Sequence, residues 1–289
     1  MRMATALSDG RPALWASGTR GYHLVTGCGD TVDANFSDVT DVGTALELGQ
    51  LRKIGEHIVD LDNQTAGVEI EDLELLPPVT RPRALVCVGR NYAEHVAEGG
   101  VPLPDEPLLF SKFVNALAPA GTKVPYPSIT SQLDYEGELA LVIGREAHAV
   151  KRSEAFDYIA GYTIMNDISA RDLQESDMQW IRGKSLDAFA PIGPCVVTVD
   201  EVSDVDSLQI RTWVNGELRQ DASVGDMHFK IPQLLEFITE AITLQAGDIV
   251  ATGTPSGVGL GFQPPKWLYP GDQVAVSIDP IGTLRCSIV

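Results

Sequence analysis

Apolar residues in this chain fall into short blocks bounded by Gly, Pro, Asn and Asp, a pattern that favours strands over long helices. Ala13-Leu14-Trp15-Ala16 and Gly21-Tyr22-His23-Leu24-Val25 read as short strands around a turn. Arg83 to Val88 reads as another, and further strands are expected near 139–144, 161–166, 194–199, 208–215 and 247–252. Val274, Val276 and Ile278 alternate with polar neighbours, as do Leu284, Cys286 and Ile288, which predicts a closing hairpin. Helical spacing is confined to Thr44–Val59, to Asn91–Glu98 and to a segment marked by Leu234, Leu235, Ile238 and Ala241. Strands dominate, and alternating β-α units are not sustained, which argues against a (β/α)₈ barrel or a doubly wound sheet. The expected fold class is therefore a β-rich α+β arrangement, with no internal repeat.

Leu76-Pro77-Pro78-Val79-Thr80-Arg81-Pro82 is a proline-rich joint. It divides the 289 residues into a small N-terminal domain, 1–75, and a main domain, 76–289. Within the main domain, the glycine- and proline-rich run from Gly99 to Pro107 reads as a mobile loop. The composition is ordinary for a globular protein, 44% hydrophobic and 21% charged. The charge balance is not: 40 acids against 21 bases give −19, spread along the chain, and no basic stripe is present. Such a surface repels phosphate backbones, so nucleic acid is not expected as a partner. No apolar run reaches membrane-spanning length and the first residues lack a signal-peptide core, so no membrane partner and a reducing, cytoplasmic setting are expected. Cys28, Cys87, Cys195 and Cys286 lie too far apart for a zinc or redox motif, and Cys87 reads as a buried free thiol.

The chemistry concentrates in a few acidic and basic positions. In Leu133-Asp134-Tyr135-Glu136-Gly137-Glu138-Leu139, Glu136 and Glu138 are two apart and project to the same face of a strand. They are either charges in water at a strand end or ligands for a divalent cation. Asp167 follows the apolar run Gly161–Met165; it either adds a third oxygen ligand or caps a helix beginning near Ser169. Three carboxylates suit Mg²⁺, Mn²⁺ or Ca²⁺ rather than zinc. His95 and Glu98 are three apart on one helical face, an arrangement that orients an imidazole for base work. Thr252 to Gly261 is rich in glycine without dinucleotide-binding spacing; it is either a long turn or a loop whose N–H groups wrap a ligand. Gly183-Lys184-Ser185 is not a phosphate loop, because Met178 stands where that pattern needs glycine. No Gly-x-Ser-x-Gly elbow is present, which excludes the usual serine hydrolase arrangement.

Taken together and in order, the segments Gly89-Arg-Asn-Tyr-Ala-Glu-His, Tyr135-Glu-Gly-Glu-Leu, Asn166-Asp-Ile-Ser-Ala-Arg-Asp-Leu-Gln, Arg182-Gly-Lys-Ser, Val214-Asn-Gly-Glu and Thr252-Gly-Thr-Pro-Ser-Gly-Val-Gly resemble the motifs of the fumarylacetoacetate hydrolase family. The resemblance runs from about Arg83 to the C-terminus. It implies a mixed β-sandwich roll for the main domain, a homodimer, and one Mg²⁺ or Mn²⁺ per subunit held by Glu136, Glu138 and Asp167. It further implies His95 and Glu98 as a water-activating pair, Lys184 as the cation beside the metal, and Arg90, Tyr92, Arg171, Gln174 and Thr254 as substrate contacts. One departure stands out: Ala188 follows Lys184-Ser-Leu-Asp where family members often carry threonine.

The small-molecule partner implied is a 2-oxo acid. Hydrolysis of a 2,4-dioxo acid between C3 and C4 would release the enolate of pyruvate or a substituted pyruvate, with His95 and Glu98 activating water and Lys184 offsetting charge. Oxaloacetate decarboxylation, and hydration or isomerisation of an unsaturated 2-oxo acid, would use the same enolate chemistry. A ligand-binding protein without catalysis is the remaining reading.

Overall fold

Strand pairing decides which of these groups meet. The computed structural model describes residues 1–26 and 34–289; Cys28 lies outside them. The N-terminal segment forms β1 (Arg2–Ser8), β2 (Arg11–Gly18), β3 (Gly21–Leu24), α1 (Val42–Glu47) and α2 (Leu51–Gln64). The continuous helix expected over Thr44–Val59 is thus two helices. Gly49, at φ 63°, turns the chain between them, a conformation glycine adopts without steric cost.

The chain continues through β4 (Leu85–Gly89), α3 (Ala93–Glu98), β5 (Leu108–Ser111), β6 (Leu117–Pro119), β7 (Lys123–Val124), β8 (Leu133–Asp134), β9 (Gly137–Ile143), β10 (Ile159–Asn166) and β11 (Ser169–Ala170). Then follow α4 (Arg171–Ser176), α5 (Ile181–Lys184), β12 (Ala190–Thr198), β13 (Gln209–Val214), β14 (Glu217–Ser223), α6 (Ile231–Ala241), β15 (Ile249–Ala251), β16 (Gln273–Ile278) and β17 (Gly282–Ile288). The last two pair as the expected hairpin.

Ten strands form one mixed sheet, in the order β3-β2-β1-β12-β10-β9-β15-β4-β5 with β6 on β12. A second sheet runs β14-β13-β16-β17-β7, and β8 pairs with β11. The two larger sheets pack against each other, β13, β16 and β17 meeting β9, β10 and β12. Every residue of β9, β10 and β12 is buried, so these strands have no polar face to show; β13 and β16 alternate because one face meets water. β1 is hydrogen-bonded to β12, so the sheet runs continuously across residues 75 and 76. On α6 the buried stripe is Ile231, Leu234, Leu235, Ile238 and Thr239, while Ala241 is exposed. Cys87, Cys195 and Cys286 are buried free thiols. No helix among the described residues is long and apolar enough to cross a membrane.

Candidate active site

β9 and β10 are antiparallel, with Glu138 opposite Met165 and Gly137 opposite Asn166. One step beyond, the Asp167 N–H donates to the Glu136 carbonyl at 2.8 Å, so the backbone register itself sets the two acids side by side. Ligand oxygens of Glu136, Glu138 and Asp167 all lie within 4.8 Å of one another, and all three residues are buried. Asp167 does not cap a helix; Ala170 is the N-cap of α4.

The three carboxylates are not equally compensated. Glu136 receives Arg171 Nη1 at 2.5 Å and Lys184 Nζ at 2.9 Å. Asp167 receives Lys184 Nζ at 2.8 Å and Lys112 Nζ at 2.5 Å. Glu138 receives only the Gly253 N–H, at 3.0 Å, and no cation among the described residues pairs with it. Burial pushes the Glu136 carboxyl up, but Lys184 and Arg171 outweigh it and hold the group well below the usual carboxylate range. At Glu138 burial acts in the same direction as repulsion from Asp167 and Glu136, and the carboxyl rises well above its usual range. Ionising that carboxyl needs a positive partner, which a divalent cation held by the three acids would supply. The donor set fits a hard, oxygen-preferring ion such as Mg²⁺ or Mn²⁺.

The two buried lysines differ for the same reason. Burial lowers Lys184, but carboxylates on two sides, Asp167 and Glu136, raise it above its ordinary value. Lys112 has one carboxylate and the Ile168 carbonyl, so burial prevails and its ammonium is held less firmly. Lys112 has no sequence signature: it is a lone lysine just past β5, and only the fold brings it to Asp167. Asp134 was also missed, although it lies two residues before Glu136 in the same acidic run. It is fully buried and accepts from Arg171 Nε at 2.9 Å and from the N–H groups of Gly259 and Leu260 at 2.7 and 3.1 Å.

Four N–H groups of the glycine-rich loop go to the site's own acids. Besides Glu138 and Asp134, the loop serves Glu98, whose Oε1 accepts from the Gly257 N–H at 2.7 Å. Gly253 takes φ 99°, and a Cβ there would lie 2.8 Å from the Cβ of Asn91, so this N–H reaches Glu138 only because the residue is glycine. Thr254 lines the cavity, but its hydroxyl donates to the Gly137 carbonyl at 3.0 Å and accepts from Gln220 Nε2 at 2.8 Å. Gln220 is fully buried and also accepts from the Gly137 N–H at 3.0 Å, tying the loop to the peptide between the two glutamates.

Above this floor, a cavity of about 380 Å³ is lined by Glu136, Glu138 and Lys184 below and by His95, Glu98 and Arg90 nearer the opening. Arg171 and Gln174 also line it, linked by an Nη1 to Oε1 bond of 3.1 Å. His95 Nδ1 lies 3.2 Å from Glu98 Oε2. An ionised carboxylate only accepts, so this contact places the proton on Nδ1 and leaves the Nε2 lone pair free to act as a base. Tyr92 is corrected: it is 2% exposed, packs in the hydrophobic core, does not line the cavity, and its hydroxyl has no partner among the described residues. Asn91 beside it is likewise structural, its side chain binding the backbone of Thr252 and Phe229. Ala188 does not line the cavity.

Residues 84–289 match the family model described as Fumarylacetoacetate (FAA) hydrolase C-terminal. A Bacillus subtilis protein named oxaloacetate tautomerase YisK is 46% identical over 223 residues, covering 76% of this chain and 74% of that one. A Bos taurus protein named mitochondrial oxaloacetate tautomerase FAHD2B is 38% identical over 265 residues, covering 90% of this chain and 84% of its own. The solved structure of a fumarylacetoacetate hydrolase from psychrophilic Exiguobacterium antarcticum superposes with a TM-score of 0.80 at 32% identity, covering 100% of this chain and 99% of that one.

Proposed function

This chain belongs to the fumarylacetoacetate hydrolase family, and from that premise we propose that it is a divalent-metal enzyme that interconverts the keto and enol forms of oxaloacetate. The observation that carries the reading is one cavity holding both an oriented base, His95, and a floor of Glu136, Glu138 and Lys184, with Asp167 within 4.8 Å behind the two glutamates. The names of the two tautomerase relatives favour this reaction over the others open to such a floor.

Keto and enol oxaloacetate differ only in where one proton sits, on C3 or on the 2-oxo oxygen. A Mg²⁺ or Mn²⁺ ion (Ca²⁺ is the third candidate) held by Glu136, Glu138 and Asp167 would polarise the 2-oxo group and acidify the C3–H bond. His95 Nε2 takes the C3 proton while Glu98 fixes the ring and balances the imidazolium. The Lys184 ammonium, already fixed between Glu136 and Asp167, opposes charge developing on the oxygen. The C3–H electron pair becomes the C2=C3 bond, the C2=O π pair moves onto oxygen, and return of the proton from His95 to that oxygen completes the enol; no carbon–carbon bond breaks and no water is consumed.

Hydrolysis of a 2,4-dioxo acid is the second reading, favoured by the same His95–Glu98 pair, which could equally deprotonate a water. The two separate in one experiment on the Mg²⁺-loaded protein. Decay of freshly dissolved enol-oxaloacetate is followed beside pyruvate release from oxaloacetate and cleavage of acetylpyruvate. Enol decay accelerated far above the buffer rate, with little pyruvate formed, supports the tautomerase. Acetylpyruvate cleavage with no acceleration of enol decay would replace it with the hydrolase.

A further inference from the structure

The buried floor holds four carboxylates, Asp134, Glu136, Glu138 and Asp167, against three cations, Lys112, Lys184 and Arg171. One negative charge remains. A divalent cation turns that into one positive charge, and the carboxylate of a 2-oxo acid neutralises it. A second carboxylate on the substrate would then enter the cavity without a partner, which burial of an unpaired ion makes unfavourable.

Arg90 offers that partner. It lines the cavity, is half-buried, and among the described residues pairs with no carboxylate. Its recorded contact is with Trp180, whose ring centre lies 5.5 Å from the guanidinium carbon. Trp180 reaches this place because residue 89 is glycine: a Cβ there would lie 2.5 Å from the indole. The same indole meets Phe110 edge-on at 5.3 Å, and Lys184 Nζ lies 5.1 Å from the Phe110 ring centre. One wall of the cavity thus runs from a cation on the floor, across two aromatic rings, to a cation near the opening. Arg90 also sits at φ 58°, a left-handed conformation that is unfavourable for a side-chain-bearing residue. A ring face supports a guanidinium while leaving its edge donors free for a carboxylate. Of the two acids near the opening, Glu98 is engaged by His95 and the Gly257 N–H, and Glu175 is exposed, so water screens it.

From this arrangement we infer that Arg90, braced by Trp180, binds the distal carboxylate of the substrate and makes the site selective for 2-oxo dicarboxylates over 2-oxo monocarboxylates. The inference rests on the 2-oxo acid reading of the floor, and the test separates the two. Mg²⁺-loaded wild type, Arg90→Gln and Arg90→Lys are titrated calorimetrically with pyruvate and with two dicarboxylates of different reach, difluorooxaloacetate and 2-oxoadipate. Wild type is expected to bind at least one dicarboxylate about tenfold or more tighter than pyruvate, the advantage of one charge-assisted bond. Arg90→Gln should bring that ratio close to one, and Arg90→Lys, which keeps the charge but loses the fork, should retain part of it. Thermal melting of each variant checks that it is folded. A wild type that binds pyruvate as tightly as both dicarboxylates overturns the inference, as does an Arg90→Gln protein that keeps the preference. Failure of all three ligands to bind would instead remove the 2-oxo acid reading, and this inference with it.

Discussion

The floor and the opening of the cavity are built differently. On the floor, Lys112 and Asp167 have fully buried side chains, and Glu136 and Asp167 are placed by the register of β9 against β10. Near the opening, His95 and Glu98 have side chains 14% and 20% exposed and ride on a six-residue helix. That helix is tied to the glycine-rich loop through Glu98 on Gly257 and through Ser256, whose hydroxyl donates to Glu94 at 3.0 Å. A helix so short has little stability of its own, so its position depends on those bonds and on the burial of Val96. On the proposed reaction the difference separates two tasks: the floor would fix where negative charge is stabilised, and the opening would decide which proton moves and which substrate enters.

Substitutions test that division in decreasing order of effect. Glu138→Ala removes the one acid that lacks a cationic partner, and metal-dependent turnover should fall to background with calorimetric Mg²⁺ binding lost; a variant that keeps both would return Glu138 to a purely structural role. His95→Ala leaves the floor intact, so Mg²⁺ should still bind while enol decay slows by roughly 10²–10⁴-fold, the usual contribution of a positioned base. Equal loss of metal binding and turnover in that variant would erase the division. Ser256→Ala removes one exposed bond from the latch, worth about 0.5–1.5 kcal/mol at most. Enol-decay kcat/KM should therefore drop no more than about tenfold, and a larger loss would mean that the latch, rather than the floor, dominates the site.

How much of this was legible in the sequence follows the same line. Local pattern offered candidates: Glu136 and Glu138 from strand alternation, Asp167 from the end of an apolar run, His95 and Glu98 from helical spacing; each kept a bland alternative, and only the family resemblance joined them into one site. Groups whose roles depend on long-range contacts could not be read. Lys112 meets Asp167 across 55 positions, and Gln220 meets Thr254 from a strand of the second sheet. Tyr92 misled because it sits between Arg90 and the helix of His95, yet its ring turns into the core while its neighbours line the cavity. The glycine-rich loop could be read as a loop that offers N–H groups, but not as one that offers them to Glu98, Asp134 and Glu138. For the fold, the alternation of β16 and β17 was plain, whereas β1 and β14 passed unread and the break at Gly49 split an expected helix.

The central claim is that Glu138 is a buried carboxyl that ionises when a cation binds, and thermal melting of chelator-treated protein with and without Mg²⁺ tests it most directly. In the metal-free folded protein the Glu138 carboxyl titrates above its unfolded value, so the fold holds that proton more tightly than the unfolded chain does. This contribution to stability is present at low pH and is lost as pH rises towards the folded pKa. Mg²⁺ binds the ionised form and must displace the proton at low pH. The rise in melting temperature caused by Mg²⁺ should therefore be larger at about pH 8 than at about pH 5.5, and should vanish in Glu138→Gln. A Mg²⁺ effect that is absent, that is larger at the lower pH, or that survives in Glu138→Gln would contradict the account.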